Sequence, residues 1–349
     1  MTDGYGGFAD NFADNFADNE DAGDFDDAPP STIMLPGGGI DLATRIGSTL
    51  LPNPVTTASG CAGYGKELAK FFEPAAIGAV VTKTIMPYPR SGRATPRMAE
   101  TPSGMLNSIG LQGPGIDAFV ERDLPWLAAR GGRTIVSIAG GHVDDFVALA
   151  ERLKGAPGVV GIEANISCPN VANRGQVFAC NPATSYDVIR AVRDVADPQV
   201  PVLAKLSPDV TSIVDIARAC VEAGADGLSM INTLLGMAID PDTMKPVLAG
   251  ITGGLSGPAV RPVAVRCVYQ VHAAMLDGQM AQVPIVGMGG IRTGLDALEF
   301  ILAGAAAVSV GTVIFNDPSS PVRILDELRA ALIARGFGSL EAAIGYAHR

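Results

Sequence analysis

The chain has 349 residues, of which 48% are hydrophobic and 17% charged, and its formal net charge is −11. Nine of its acidic residues and no Lys or Arg fall within residues 1–30, so the remainder is nearly neutral and carries no basic excess that would suit nucleic acid. A chain this long and apolar can bury one large core, and α/β barrels run to about 250 residues or more as a single unit.

Residues 1–30 are of low complexity. FADN recurs at Phe8–Asn11, Phe12–Asn15 and Phe16–Asn19, followed by an Asp-rich run that ends at Pro29-Pro30. High charge with few aliphatic residues does not offset the entropy of ordering, so residues 1–34 are expected to form a disordered acidic tail. The four-residue spacing of Phe leaves open a helical stripe formed on a partner. No signal-peptide pattern precedes the tail, and no apolar run reaches the ~18 residues of a membrane span. Five cysteines, at 61, 168, 180, 220 and 267, are odd in number and lack CxxC spacing. That argues against a disulfide framework or a metal site and fits a reducing compartment. The expectation is a soluble cytoplasmic protein with no membrane or nucleic-acid partner.

From about residue 35 the pattern changes to short β-branched runs alternating with helical segments, one folded unit over 35–349. Asp41–Pro52 is expected to form a hairpin plugging a barrel floor. The predicted strands are Pro54–Ala58, Ala79–Thr84, Thr134–Ile138, Gly161–Ile166, Val202–Leu206, Gly227–Ile231, Pro284–Met288 and Ala307–Val310. Most are apolar throughout, as parallel strands covered on both faces are. Helices are predicted over Ser212–Ala223 and Leu295–Ala303. Eight such units, with no dinucleotide fingerprint after the first strand, predict a (β/α)8 TIM barrel.

Chemistry in such a barrel sits at the C-terminal strand ends. There the sequence places Ala58-Ser59, Lys83-Thr84, Asn165, Lys205, Asn232-Thr233, Gly289-Gly290 and Gly311-Thr312. The loop after strand two adds Asn107, Ile109, Gly110 and Leu111. Each lysine either pairs with a carboxylate, for which Glu163 is the nearest candidate, or faces an anionic ligand. Convergent Asn side chains suit a planar heterocycle, because each offers a donor and an acceptor. Gly pairs after strands seven and eight suit a phosphate. Cys168, between Ser167 and Pro169, is placed to act as a nucleophile or base, and position alone leaves Cys61 and Cys180 as alternatives.

The phrases NPVTTASG (53–60), VVTKT (80–84), NSIGLQGPG (107–115), EANISCPN (163–170), VLAKLSPDV (202–210), SMINT (229–233), GGLSGPAVRP (253–262), VGMGGI (286–291) and SVGT (309–312) together resemble the dihydroorotate dehydrogenases, over about residues 35–320. The resemblance implies an FMN-dependent barrel that oxidises dihydroorotate to orotate in pyrimidine biosynthesis. It implies Cys168 as general base at C5, with hydride passing from C6 to flavin N5. Lys83, Asn107, Ile109, Gly110, Leu111, Asn165, Asn170, Asn232 and Thr233 would then surround the substrate. Ala58, Ser59, Lys83, Thr84, Asn165, Lys205 and Ile231 would contact the flavin. Gly257, Gly289, Gly290, Gly311 and Thr312 would hold its phosphate, and no metal is implied. The loop from Asn170 to about Pro182 would close over the substrate.

The wording is closest to the NAD-linked class 1B catalytic subunits. That implies an FAD- and iron–sulfur-containing electron-transfer subunit as partner, and a homodimer within a larger complex. One departure is Gly113, where the family phrase carries Asn. The competing readings are a dihydropyrimidine dehydrogenase-like FMN barrel, disfavoured by Asn170 in place of His, and a non-catalytic barrel that binds a phosphate ligand.

Overall fold

The computed structural model describes residues 39–167 and 178–349. The tail expected over 1–34 lies outside these residues, as do Cys168, Asn170 and most of the loop expected to close.

Eight parallel strands form where the eight apolar runs stand: β1 Val55–Thr57, β2 Val80–Val81, β3 Thr134–Ile138, β4 Val159–Ala164, β5 Val202–Lys205, β6 Gly227–Met230, β7 Ile285–Met288 and β8 Ala307–Val310. Their lateral order is β1-β8-β7-β6-β5-β4-β3-β2. The ring closes between its two ends through a parallel bridge from Thr56 to Ala79 and a 2.7 Å hydrogen bond from Gly78 N to Val55 O. The fold is therefore the (β/α)8 barrel.

The helices follow the predicted periodicity. Ile213–Glu222 buries Ile213, Ile216, Ala217 and Cys220 along one face, and Ser212 Oγ caps it by accepting from Asp215 N at 3.3 Å. Gly294–Leu302 begins at a capping box in which Thr293 and Asp296 satisfy each other's backbone N–H groups.

The N-terminal hairpin pairs Thr44–Ile46 with Thr49–Leu51. Its Ile46 and Leu51 pack with Ala79, Val81, Ile135, Leu203, Val286, Met288 and Ala307, so the hairpin stoppers one end of the barrel interior. The opposite end, where the strands finish, is left for chemistry.

One element was not foreseen. The loops after β2 and β6 form a four-stranded antiparallel sheet in the order Leu234–Gly236, Gly253–Ser256, Gly104–Asn107, Met98–Thr101. Asn107, expected in a loop, ends a strand and lies opposite Gly254. The pairing is between segments about 150 residues apart, which local periodicity does not report.

Candidate active site

Side chains from β3 and from just beyond the ends of β2, β4 and β6 meet in one largely buried hydrogen-bond chain. Thr84 Oγ1 and Ser137 Oγ are 2.9 Å apart, and Asn165 Nδ2 donates to Thr84 Oγ1 at 3.1 Å. Ser167 Oγ donates to Asn165 Oδ1 at 3.0 Å and accepts from Asn232 Nδ2 at 2.7 Å. Asn232 Oδ1 then accepts from Thr233 N at 2.8 Å. Thr84, Ser137, Asn165 and Ser167 are buried, while Asn232 and Thr233 are half-buried and face the opening. The chain exists because Asn165 stays in the sheet: its N–H donates to Ile138 O at 2.9 Å, which extends β4 by one residue. Ser167 and Ser137 carry this network and were not singled out by sequence, since a serine beside a strand end is unremarkable by itself.

Lys205, at the end of β5, is buried. Its Nζ donates to Ser59 Oγ at 2.8 Å and stands 3.7 Å from Glu163 Oε1. Of the two readings open for the lysines, pairing with a carboxylate describes Lys205. Lys83 N donates to Gly63 O at 2.8 Å. Its side chain, with those of Tyr64, Arg90, Ile109 and Gln112, lines a cleft of about 400 Å³. Lys83 and Arg90 make this cleft suited to an anion. Gly113 lines the same cleft, and a Cβ there would come within 3.2 Å of the Tyr64 hydroxyl, so a side chain at this position requires Tyr64 to move.

The unforeseen sheet supplies the rest of the wall. Asn107 Nδ2 donates to Gly254 O at 3.2 Å. A Cβ on Gly254 would fall 2.0 Å from Thr233 Oγ1, so Thr233 keeps its place only against a glycine. Ile109 O accepts from Arg93 N at 3.0 Å, and Leu111, at φ 54°, is buried beyond Gly110. Ile231, also buried, closes the base beside Asn232 through a 3.2 Å bond from its N–H to Met288 O.

Gly257, Gly289 and Gly290 converge after the sheet and β7. Gly290 has φ +75°, and a Cβ there would lie 2.8 Å from Gly257 O and 2.9 Å from Arg261 Cβ. The Gly257 and Gly290 backbones therefore approach as only unsubstituted residues can. Beside β8, Thr312 Oγ1 donates to Ser256 Oγ at 2.8 Å, and Gly311 stands against Ala58. The result is a recess walled by backbone, next to the start of the Arg261–Leu276 helix.

Among the described thiols, none is poised to ionise. Burial pushes Cys61 up to about 11, with Lys205 and then Lys83 pulling the other way. Burial and the nearby Asp209 carboxylate raise Cys180, and burial alone takes Cys220 to about 12. Cys267 is also raised by burial. Every predicted residue among the described ones thus falls at the same end of the barrel, whereas Cys168 and Asn170 lie outside the described residues.

The model of one protein family, dihydroorotate dehydrogenase, matches residues 41–332. The chain is 49% identical over 305 residues to the dihydroorotate dehydrogenase B (NAD(+)) catalytic subunit of Geobacter sulfurreducens, covering 87% of this chain and 97% of the relative. The protein of the same name from Geotalea uraniireducens is 48% identical over 308 residues, 88% of this chain and 98% of that one. The one from Bacillus cytotoxicus is 49% identical over 290 residues, covering 83% and 91%. With the barrel and its strand-end network in place, this likeness over nearly the whole folded chain settles the family: the chain belongs to the dihydroorotate dehydrogenases, an oxidoreductase family.

Proposed function

We propose that this protein oxidises dihydroorotate to orotate in pyrimidine biosynthesis, with FMN as its resident cofactor. The observation that carries the reading is the chain Thr84–Asn165–Ser167–Asn232, set at the same end of the barrel as Lys205 and the glycine recess.

The residues present fit FMN. A Cβ at Gly257, Gly289 or Gly290 would collide with Gly104, Ala264 or Gly257 respectively, so the backbone here stays bare and suits a phosphate approached by backbone N–H groups, with Gly311 and Thr312 beside it. Ala58, Ser59, Thr84, Asn165, Lys205 and Ile231 are assigned to the ring and its side chain. Bound FMN would supply the acceptor for a hydride from C6 of the substrate.

The chain's own residues bind and orient the substrate and move its proton. Asn107, Asn165, Asn232 and Thr233 offer donors and acceptors matched to a planar, amide-rich molecule. We assign Asn170, Lys83 and the backbone of Ile109, Gly110 and Leu111 to the same ligand. The hydrogen bonds among Asn165, Ser167 and Asn232 hold the amides in one orientation before substrate arrives, which lowers the cost of ordering them. Cys168 takes the proton from C5. This assignment is supported by the raised thiols of Cys61 and Cys180, the two other cysteines near the opening.

The relatives are named as catalytic subunits, and we infer a partner subunit here too. We assign FAD and an iron–sulfur centre to that partner, with this chain as a homodimer at the core of the complex. No helix among the described residues is long and apolar enough to cross a membrane. We place the enzyme in the cytoplasm, on the free Cys61, Cys180, Cys220 and Cys267 among the described residues. We assign 35–349 as the catalytic unit, with 1–34 outside it.

An anaerobic titration with dihydroorotate, followed by flavin absorbance, tests the reading. Wild type is expected to bleach rapidly and Cys168→Ala to bleach hardly at all. A yellow protein that dihydroorotate leaves unbleached would overturn the substrate assignment.

A further inference from the structure

We propose that Glu163 is a positioning residue for Lys205 and that, through it, Glu163 sets the reduction potential of the bound flavin. The proposal rests on the FMN reading above. Glu163 lies on β4 with its side chain 1% exposed, and among the described residues its Oε1 accepts no hydrogen bond. The nearest cation is Lys205 Nζ at 3.7 Å, too long for a good hydrogen bond but close enough to attract. Lys205 is held from its other side by Ser59 Oγ at 2.8 Å. The ammonium therefore stands between a hydroxyl at the opening and a carboxylate inside the barrel.

A buried carboxylate with an unfilled acceptor is costly, and an apolar side chain of similar volume would pack a barrel interior more stably. Its in-register neighbours are the buried Ser137 on β3 and Leu203 on β5, and the apolar Ile135 lines the same interior. Glu163 adds little to the fold by this arrangement; what it does is offset the charge of Lys205. A reduced flavin carries more negative charge than an oxidised one, so an uncompensated ammonium nearby favours reduction. Glu163 opposes that preference and keeps the flavin easier to reoxidise by its electron acceptor.

The test is the midpoint potential of FMN in the full chain, measured by equilibration with a reference dye, for wild type, Glu163→Gln and Glu163→Asp. Glu163→Gln keeps the shape and removes the charge. It is expected to shift the two-electron equilibrium toward reduced flavin by about tenfold, roughly 30 mV more positive. Glu163→Asp withdraws the charge by one methylene and is expected to shift it the same way by less. Should Glu163→Gln fail to fold, Glu163→Asp carries the test alone. Lys205→Met, which removes the ammonium, should move the potential the opposite way, to a more negative value. A Glu163→Gln potential that is unchanged or more negative overturns the proposal, as does loss of FMN from a folded Glu163→Gln protein. Wild-type protein that takes up no FMN would instead defeat the reading on which the proposal stands.

Discussion

Asn232 Nδ2 lies 2.7 Å from Ser167 Oγ, a contact between residues 65 positions apart that ties the end of β6 to the end of β4. The same hydroxyl donates to Asn165, so one serine fixes the orientation of two amides. Ser167→Ala removes the shortest bond from each amide and leaves Asn232 Nδ2 only its 3.4 Å contacts with Asn165 Oδ1 and Ser167 O, at a cost of about 0.5–1.5 kcal/mol. Turnover with dihydroorotate is expected to fall roughly 10- to 100-fold in kcat/KM. The melting temperature should fall by only about 2–4 °C, because the backbone bond from Asn165 N to Ile138 O remains. Steady-state kinetics alongside thermal unfolding check this; undiminished kcat/KM would show that the amides hold themselves.

Gly290 permits no side chain. Its φ is +75°, and a Cβ would meet Gly257 O at 2.8 Å. Gly290→Ala is expected to cost about 1–3 kcal/mol in backbone strain and to push Gly257 out of the recess. The purified variant should retain far less flavin than wild type, as read from the ratio of visible to protein absorbance. A full complement of flavin would mean that the recess is not the phosphate site.

The Cys61 thiol, pushed by burial to about 11, holds about one part in ten thousand as thiolate at pH 7. Iodoacetamide at neutral pH is expected to leave Cys61 unmodified by mass spectrometry. Cys61→Ala should turn over within about threefold of wild type, whereas Cys168→Ala should be nearly inactive. Equal loss in the two variants would return Cys61 to candidacy as the base.

Asp123 is buried between Lys66 Nζ at 2.6 Å and Arg122 Nη2 at 3.1 Å. Burial pushes its carboxyl up, but the hydrogen bonds from Arg122 and Lys66 outweigh that and hold it below the ordinary range. A carboxyl lowered in the folded state adds stability that is fully present above its unfolded value of about 4 and fades as pH falls through its folded value. Asp123→Asn is expected to destabilise by about 1–3 kcal/mol at pH 7, read as a lower melting temperature. The gap from wild type should narrow below about pH 4. A gap independent of pH would assign the loss to packing.

The barrel and its polar end were legible in the sequence because both are local properties. An apolar β-branched run such as Thr134–Ile138 reads as a strand covered on both faces, and a helix start such as Ser212 reads from its own cap. Once eight such units are counted, the strand-end positions of Asn165, Lys205 and Asn232 follow from chain order alone. Which of these residues touch was decided only by closure of the ring. Closure brings neighbouring strands about 4.8 Å apart and makes partners of Ser167 and Asn232, and of Glu163 and Lys205. It also lets the loops after β2 and β6 meet in a sheet, carrying Asn107 to Gly254. Such contacts depend on the distance between segments in space, to which periodicity along the chain is blind.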